Sequence, residues 1–243
     1  MWEQLTVAPS QTHHIHADSK QPAYSARFAS VLKFRAPGLA AVRRDGLAWH
    51  IHPDGQEAYA SRFLKTFNFY ECLAAVEAEN GWHHITTSGQ AQYSERFEWC
   101  GNFQTGLCTV RTLEGTYFHI DRAGNRPYPS SWQYAGDYRD GIAAVQRADG
   151  LLTHIDRSGK PIHDLGYLDL DVFHKGYARA RDQDGWVHIR QDGLPAYQQR
   201  YAAIEPFYNG HARIERFDGA LEVIDEKGST QRLLRSPLWP ASK

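Results

Sequence analysis

The chain has little of several things, and each shortage removes a class of protein. One methionine and three cysteines occur in 243 residues. The cysteines, Cys72, Cys100 and Cys108, are an odd set without a Cys-x-x-Cys spacing, so neither a disulfide framework nor a zinc knuckle is indicated, and a reducing compartment fits. Net charge is also lacking: Lys and Arg number 27 against 28 for Asp and Glu. That near-cancellation gives no global field to steer a nucleic acid or an acidic membrane surface. No apolar run approaches the ~18 residues of a membrane span, and the first residues show no basic stretch followed by an apolar one. The expectation is a soluble, cytoplasmic protein. Sustained 3.6-residue apolar periodicity is missing too, so little helix is expected.

What is abundant is aromatic: 7 Trp, 13 Tyr and 11 Phe, with 13 His and 20 Gly. Aromatic residues favour strands. They also recur in columns. A His-Ile pair stands at His14, His50, His84, His119, His154 and His188, with Val223-Ile224 in the seventh place, always 34 to 36 residues apart. A second column runs Phe34, Phe69, Phe103, Tyr138, Phe173 and Phe207, followed by Gly38, Cys72, Gly106, Gly141, Gly176 and Gly210. A third places Tyr24, Tyr59, Tyr93, Tyr128 and Tyr197 about ten residues beyond each His, with His163 as the exception. Self-similarity at a fixed period is the signature of a repeat architecture.

The turn residues set the local structure. Asp45-Gly46, Asn80-Gly81, Glu114-Gly115, Asp149-Gly150, Asp184-Gly185 and Asp218-Gly219 each separate two short apolar segments. Asp-Gly and Asn-Gly predict type I′ hairpins, whose central residues both need positive φ. Each unit therefore reads as a strand ending in the aromatic, a Gly-Leu-Ala strand, the His-Ile strand and a return through the Tyr column. The expected fold is all-β: six tandem antiparallel hairpin repeats after an N-terminal half-repeat. An open, solenoid-like stack is expected, with a six-bladed propeller-like ring as the alternative. The boundaries read as a tail at 1–11, one array at 12–230, and a cap or docking tail at 231–243.

These columns resemble the bacterial WG-repeat family, whose unit runs approximately Phe-x-x-Gly-Leu-Ala-x-Val, a turn, Trp-Gly-Tyr-Ile-Asp, a Gly turn and a Tyr. Phe34 to Val42, Phe103 to Val110 and Tyr138 to Val145 match the first part, and Trp82, Trp186, Ile120-Asp121, Ile155-Asp156 and Ile224-Asp225 match the second. The Gly of the Trp-Gly pair is absent throughout, and His replaces the Tyr before Ile, which marks a divergent branch. The resemblance implies a binding or scaffolding module and supplies no catalytic residues.

Candidate chemistry is sparse. His14 with His16, or His50 with His52, would share a strand face as two metal ligands would, but no carboxylate or Cys recurs beside them. A position repeated every 35 residues reads as a lattice position, so no metal or cofactor is expected. No nucleophile or phosphate-loop motif occurs, and the chain reads as a non-enzyme. Cys72 and Cys108 read as small buried strand residues, and Cys100 as the accessible cysteine. One stretch of the array breaks the pattern: His163 replaces Tyr, and Asp164, Asp169 and Asp171 follow. A site grafted onto a repeat belongs where the pattern breaks, so these four residues are the candidate binding residues, with Trp99 and Trp132 as aromatic candidates. The expected partner is a protein or peptide, held either by the array alone or by an accessory domain serving a separate enzyme.

Overall fold

The computed structural model describes residues 2–239. Their one helical element is the 3-10 turn Trp2–Gln4; the remaining elements are strands. The half-copy is β1 (Leu5–Val7) paired antiparallel with β2 (His14–His16). Copy one is β3 (Ser30–Val31), β4 (Ala40–Arg44) and β5 (Leu47–Ile51). Copy two is β6 (Lys65–Thr66), β7 (Ala74–Ala78) and β8 (Gly81–Ile85). Copy three is β9 (Trp99–Cys100), β10 (Leu107–Arg111) and β11 (Tyr117–Asp121). Copy four is β12 (Tyr134–Ala135), β13 (Ala143–Gln146) and β14 (Leu152–Ile155). Copy five is β15 (Asp169–Leu170), β16 (Ala178–Asp182) and β17 (Gly185–Ile189). Copy six is β18 (Ala203–Ile204), β19 (His211–Glu215), β20 (Leu221–Asp225) and a fourth strand, β21 (Thr230–Arg235).

Every copy is an antiparallel meander, and none of the described sheets closes on itself. The repeat reading thus holds, with one sheet per 35-residue period. The segment 1–11 contributes β1, and the segment after 230 opens as β21. The chain divides into two compact units, Met1–Ser131 and Trp132–Lys243. The first holds the half-copy and copies one to three. The second holds copies four to six.

Short strands form here because each is bracketed by residues that force a reversal, and each sheet buries one alternate set of side chains. Ile51, Ile85, Ile120, Ile155, Ile189 and Ile224 are fully buried in register, one per copy. Each stabilises the fold by about 1.5–3 kcal/mol through apolar burial. Neighbouring copies lock through the Tyr column. The Tyr59 ring lies against Gly89 of the following copy, where an added Cβ would stand 2.5 Å from Tyr59 Cγ. Only glycine leaves room for that approach.

The hairpin turns correct the sequence reading. Of the six Gly pairs, Asp45-Gly46 alone has positive φ at both residues, 53° and 81°. In copies two and five, Ala78 pairs with Gly81 and Asp182 with Gly185, so the Gly has already entered the strand. In copies three, four and six only the Gly is left-handed, and its N–H bonds the carbonyl three residues back. Doubly left-handed pairs lie instead between the first and second strands: Glu71-Cys72, Thr105-Gly106, Asp140-Gly141, Lys175-Gly176 and Asn209-Gly210. In sequence these were hidden as a polar step after the aromatic column.

Cysteine placement is corrected as well. Cys72 sits at φ 63° in the second place of such a turn, which swings its side chain out, and it is exposed. Cys100, expected to be accessible, is fully buried on β9, where burial pushes its thiol far above the ordinary range. Cys108 is buried as expected. Replacing Cys72 by the Gly of the other copies should raise stability by about 1 kcal/mol, since L residues are strained in the left-handed region. In the native protein, a disulfide reagent should titrate one thiol, and three in denaturant. Two rapidly reacting native thiols, or a destabilised Cys72→Gly, would contradict this placement.

Candidate binding surface

The His column comes first, because it is the most chemically loaded feature. His50 Nε2 lies 2.8 Å from the Phe67 carbonyl oxygen of the next copy, and Nδ1 meets the Tyr59 hydroxyl. The arrangement recurs: His14 with Leu32 and Tyr24, His84 with Gly101 and Tyr93, His188 with Glu205 and Tyr197. A carbonyl only accepts, so Nε2 carries the proton, and Nδ1 accepts from the Tyr hydroxyl. These imidazoles also pack on the Phe column of the next copy, with centroids 4.3 Å apart for His14–Phe34 and 4.4 Å for His50–Phe69. Within each unit the column therefore ties a copy to its own return segment and to its successor. Both ring nitrogens are engaged, and burial drives His50, His84, His154 and His188 down to about 4. Among the described residues, no group of three or more His, Cys, Asp or Glu is placed to hold a metal ion.

Copy four keeps this lattice by other means. His154 Nε2 donates to the Asp171 carbonyl at 2.8 Å, and Nδ1 lies 3.0 Å from His163 Nε2. His163 thus supplies the N–H that replaces the Tyr O–H, and like Tyr59 it packs on the turn Gly of the next copy, here Gly193. The side chain is buried, so His163 is a lattice residue. Asp164 is exposed in the return segment beside it.

Asp169 and Asp171 lie on or beside β15 and face arginines. Asp169 is opposite Arg181 in register, and Asp171 Oδ2 accepts from Arg179 Nε at 2.6 Å. Copy six repeats the second pair as Glu205 with Arg213. In copies one and two the same two positions are Leu32 with Ala41, and Phe67 with Ala75. An acid and a base have therefore exchanged with two apolar residues together, which sequence inspection of one column at a time did not show. Exposed pairs of this kind contribute only about 0–1 kcal/mol.

Asp171 and Glu205 also border a hollow of about 590 Å³ in the second unit, with Arg139, Val172, His174 and Tyr208 on its walls. Tyr208 is 71% exposed, and the Lys175 ammonium lies 5.1 Å from its ring centroid. Backbone holds this rim: Tyr208 N–H and His211 N–H each bond the other's carbonyl across the Asn209-Gly210 turn. A convex aromatic beside carboxylates and an arginine suits a polar peptide chain. Of the six residues expected to bind, the hollow takes Asp171 alone. Asp169 stands two residues away, Trp99 belongs to the first unit, half-buried and opposite Arg111, and the Trp132 indole N–H is buried without a hydrogen-bond partner. Tyr208 was missed because its column is otherwise Arg35, Tyr70, Gln104, Arg139 and His174, with no common chemistry to draw attention.

No family model matches the chain, and no curated protein matches it. Solved structures do. The computationally designed Ika8 protein is similar at a TM-score of 0.52 and 15% identity, over 94% of this chain and 82% of that one. BamB from Moraxella catarrhalis is similar at 0.51 and 14%, over 96% and 85%. A eukaryotic initiation factor is similar at 0.56 and 9%, over 91% and 70%. At these identities the likeness is one of fold, to β-propeller and β-repeat proteins. No helix among the described residues is long and apolar enough to cross a membrane.

Proposed function

We propose that the protein is a non-catalytic repeat module that holds a protein or peptide partner, a divergent relative of the WG-repeat arrays. The observation that carries this is the division of labour within each copy. His, Tyr, Phe and Ile positions repeat because they form the buried frame, whereas the position held by Leu32, Phe67, Gly101, Gly136, Asp171 and Glu205 ranges over apolar, small and acidic residues. A constant frame with a varied face is what a recognition surface needs. The near-zero net charge favours a protein over a nucleic acid, and three free thiols fit the reducing cytoplasm.

The test is selection of peptides from a displayed random library on the immobilised protein, followed by titration of the enriched peptides. Tyr208→Ala should weaken binding at least tenfold while the melting temperature stays within about 2 °C, because an exposed side chain contributes little to folding. Tyr70→Ala, at the same register in the first unit, is the control. Peptides that bind both variants like the parent protein would remove the second-unit hollow from the proposal.

A further inference from the structure

The first unit contains a cleft beside Ala48, at a register position where the other copies carry larger side chains. It lies on the face of copy one that meets copy two, has a volume of about 220 Å³, and is lined chiefly by Leu32, Ala41, Ala48, Leu64 and Phe67, with Arg43 at its edge. Leu32 and Leu64 are 45% and 42% exposed at its mouth.

Strand register explains why the cleft exists. Ala48 pairs with Arg43 across the second hairpin. The residues at the same place in the other copies are Trp82, Tyr117, Leu152, Trp186 and Leu221, opposite Glu77, Arg111, Gln146, Arg181 and Glu215. Copy one alone has a small residue there. Where the opposite residue is arginine, the pair forms a cation–π contact: Arg111 lies 6.0 Å from the Tyr117 ring centroid and Arg181 lies 5.9 Å from that of Trp186. Copy one keeps the arginine and lacks the ring. The Arg43 guanidinium makes no ion pair among the described residues.

We propose that this cleft is an interaction site for an aromatic side chain, Trp or Tyr, presented by a peptide segment of a partner protein with a carboxylate beside it. The proposal rests on the binding-module reading but uses a site in the first unit, whereas Tyr208 belongs to the second, so either can fail alone. The aromatic takes the place that Trp186 takes in copy five, completing the contact with Arg43 and covering Leu32 and Leu64. The carboxylate pairs with the same guanidinium, as Glu57 pairs with Arg62 while Arg62 lies 4.2 Å from the Trp49 ring centroid. A peptide fits better than a free small molecule because the cleft is smaller than the ~300–1,000 Å³ of small-molecule pockets and suits a single anchoring side chain.

The experiment is calorimetric titration of the full chain with Ac-Glu-Trp-Glu-NH₂, Ac-Glu-Ala-Glu-NH₂ and free indole. The Trp peptide should bind saturably, with the Ala peptide and indole each at least tenfold weaker. Ala48→Trp installs the residue of copies two and five and should abolish Trp-peptide binding while the protein melts at or above the parent temperature. Arg43→Gln should weaken binding threefold to tenfold. Should Ala48→Trp not fold, Ala48→Leu, the residue of copy four, takes its place. Undiminished binding to the filled variant, indole binding equal to the peptide, or no saturable binding of the Trp peptide to the parent would each overturn the proposal.

Discussion

On acidification the protein should unfold cooperatively between about pH 6 and pH 4.5, before its carboxylates are substantially protonated. His50, His83, His84, His154 and His188 are buried with values near 4, and in each the leading cause is loss of hydration. The unfolded chain binds these protons with an ordinary value near 6.5, so it takes up protons before the native state does. Stability from the neutral imidazoles is therefore complete above about pH 6.5 and is lost as pH falls toward 4. At pH 5 each such group has lost about 2 kcal/mol, and five together about 10 kcal/mol. A whole domain typically has about 5–15 kcal/mol. Intrinsic fluorescence of the seven tryptophans against pH measures the transition, and its steepness gives the proton count. A native signal that persists to pH 4, or a transition that takes up fewer than two protons, would contradict the buried neutral lattice.

Much of this lattice is legible in the sequence, because periodicity alone assigns His, Tyr, Phe and Ile to fixed places. The bonds it makes are less so. His50 bonds a backbone carbonyl of the next copy, and backbone leaves no trace in residue identity. His163 shows the difference most clearly: by residue type it breaks a Tyr column, yet by chemistry it supplies the same donor to the same acceptor. The candidate site suffered from the same blindness. Asp171 drew notice as a carboxylate, while its partner Arg179 lay in the strand column of Ala41 and Ala75 and was not connected with it. Ala48 drew none, since alanine is unremarked in a strand until register sets it beside Trp82 and Trp186. Turn chemistry was half legible: Asp-Gly pairs marked the right reversals, but three of the doubly left-handed turns, Glu71-Cys72, Thr105-Gly106 and Lys175-Gly176, carry no Asp-Gly or Asn-Gly signal, and the Gly of the other two reads in sequence as the start of a strand.

The second large effect concerns the coupling of His to Tyr. Copy six shows both absent together: Val223 holds the His place, and Arg232, not a Tyr, lies opposite it in register. Elsewhere, removing one partner strands the other. In His188→Val, the Tyr197 hydroxyl and the Glu205 carbonyl lose partners now placed 2.6 and 2.8 Å away. Each unsatisfied buried group costs about 1–3 kcal/mol, so a total loss of about 3–5 kcal/mol is expected. Tyr197→Phe alone leaves Nδ1 without its donor, for about 1–2 kcal/mol. In the double variant no hydroxyl remains to be stranded, and its loss should fall short of the sum by at least about 1 kcal/mol. Urea unfolding at pH 7.5, where the buried His188 is neutral, measures the cycle. Additive losses would mean that the ring and the hydroxyl act separately, as packing alone. Coupling, together with a His188→Val variant that still binds the selected peptides, would place the column wholly in the frame.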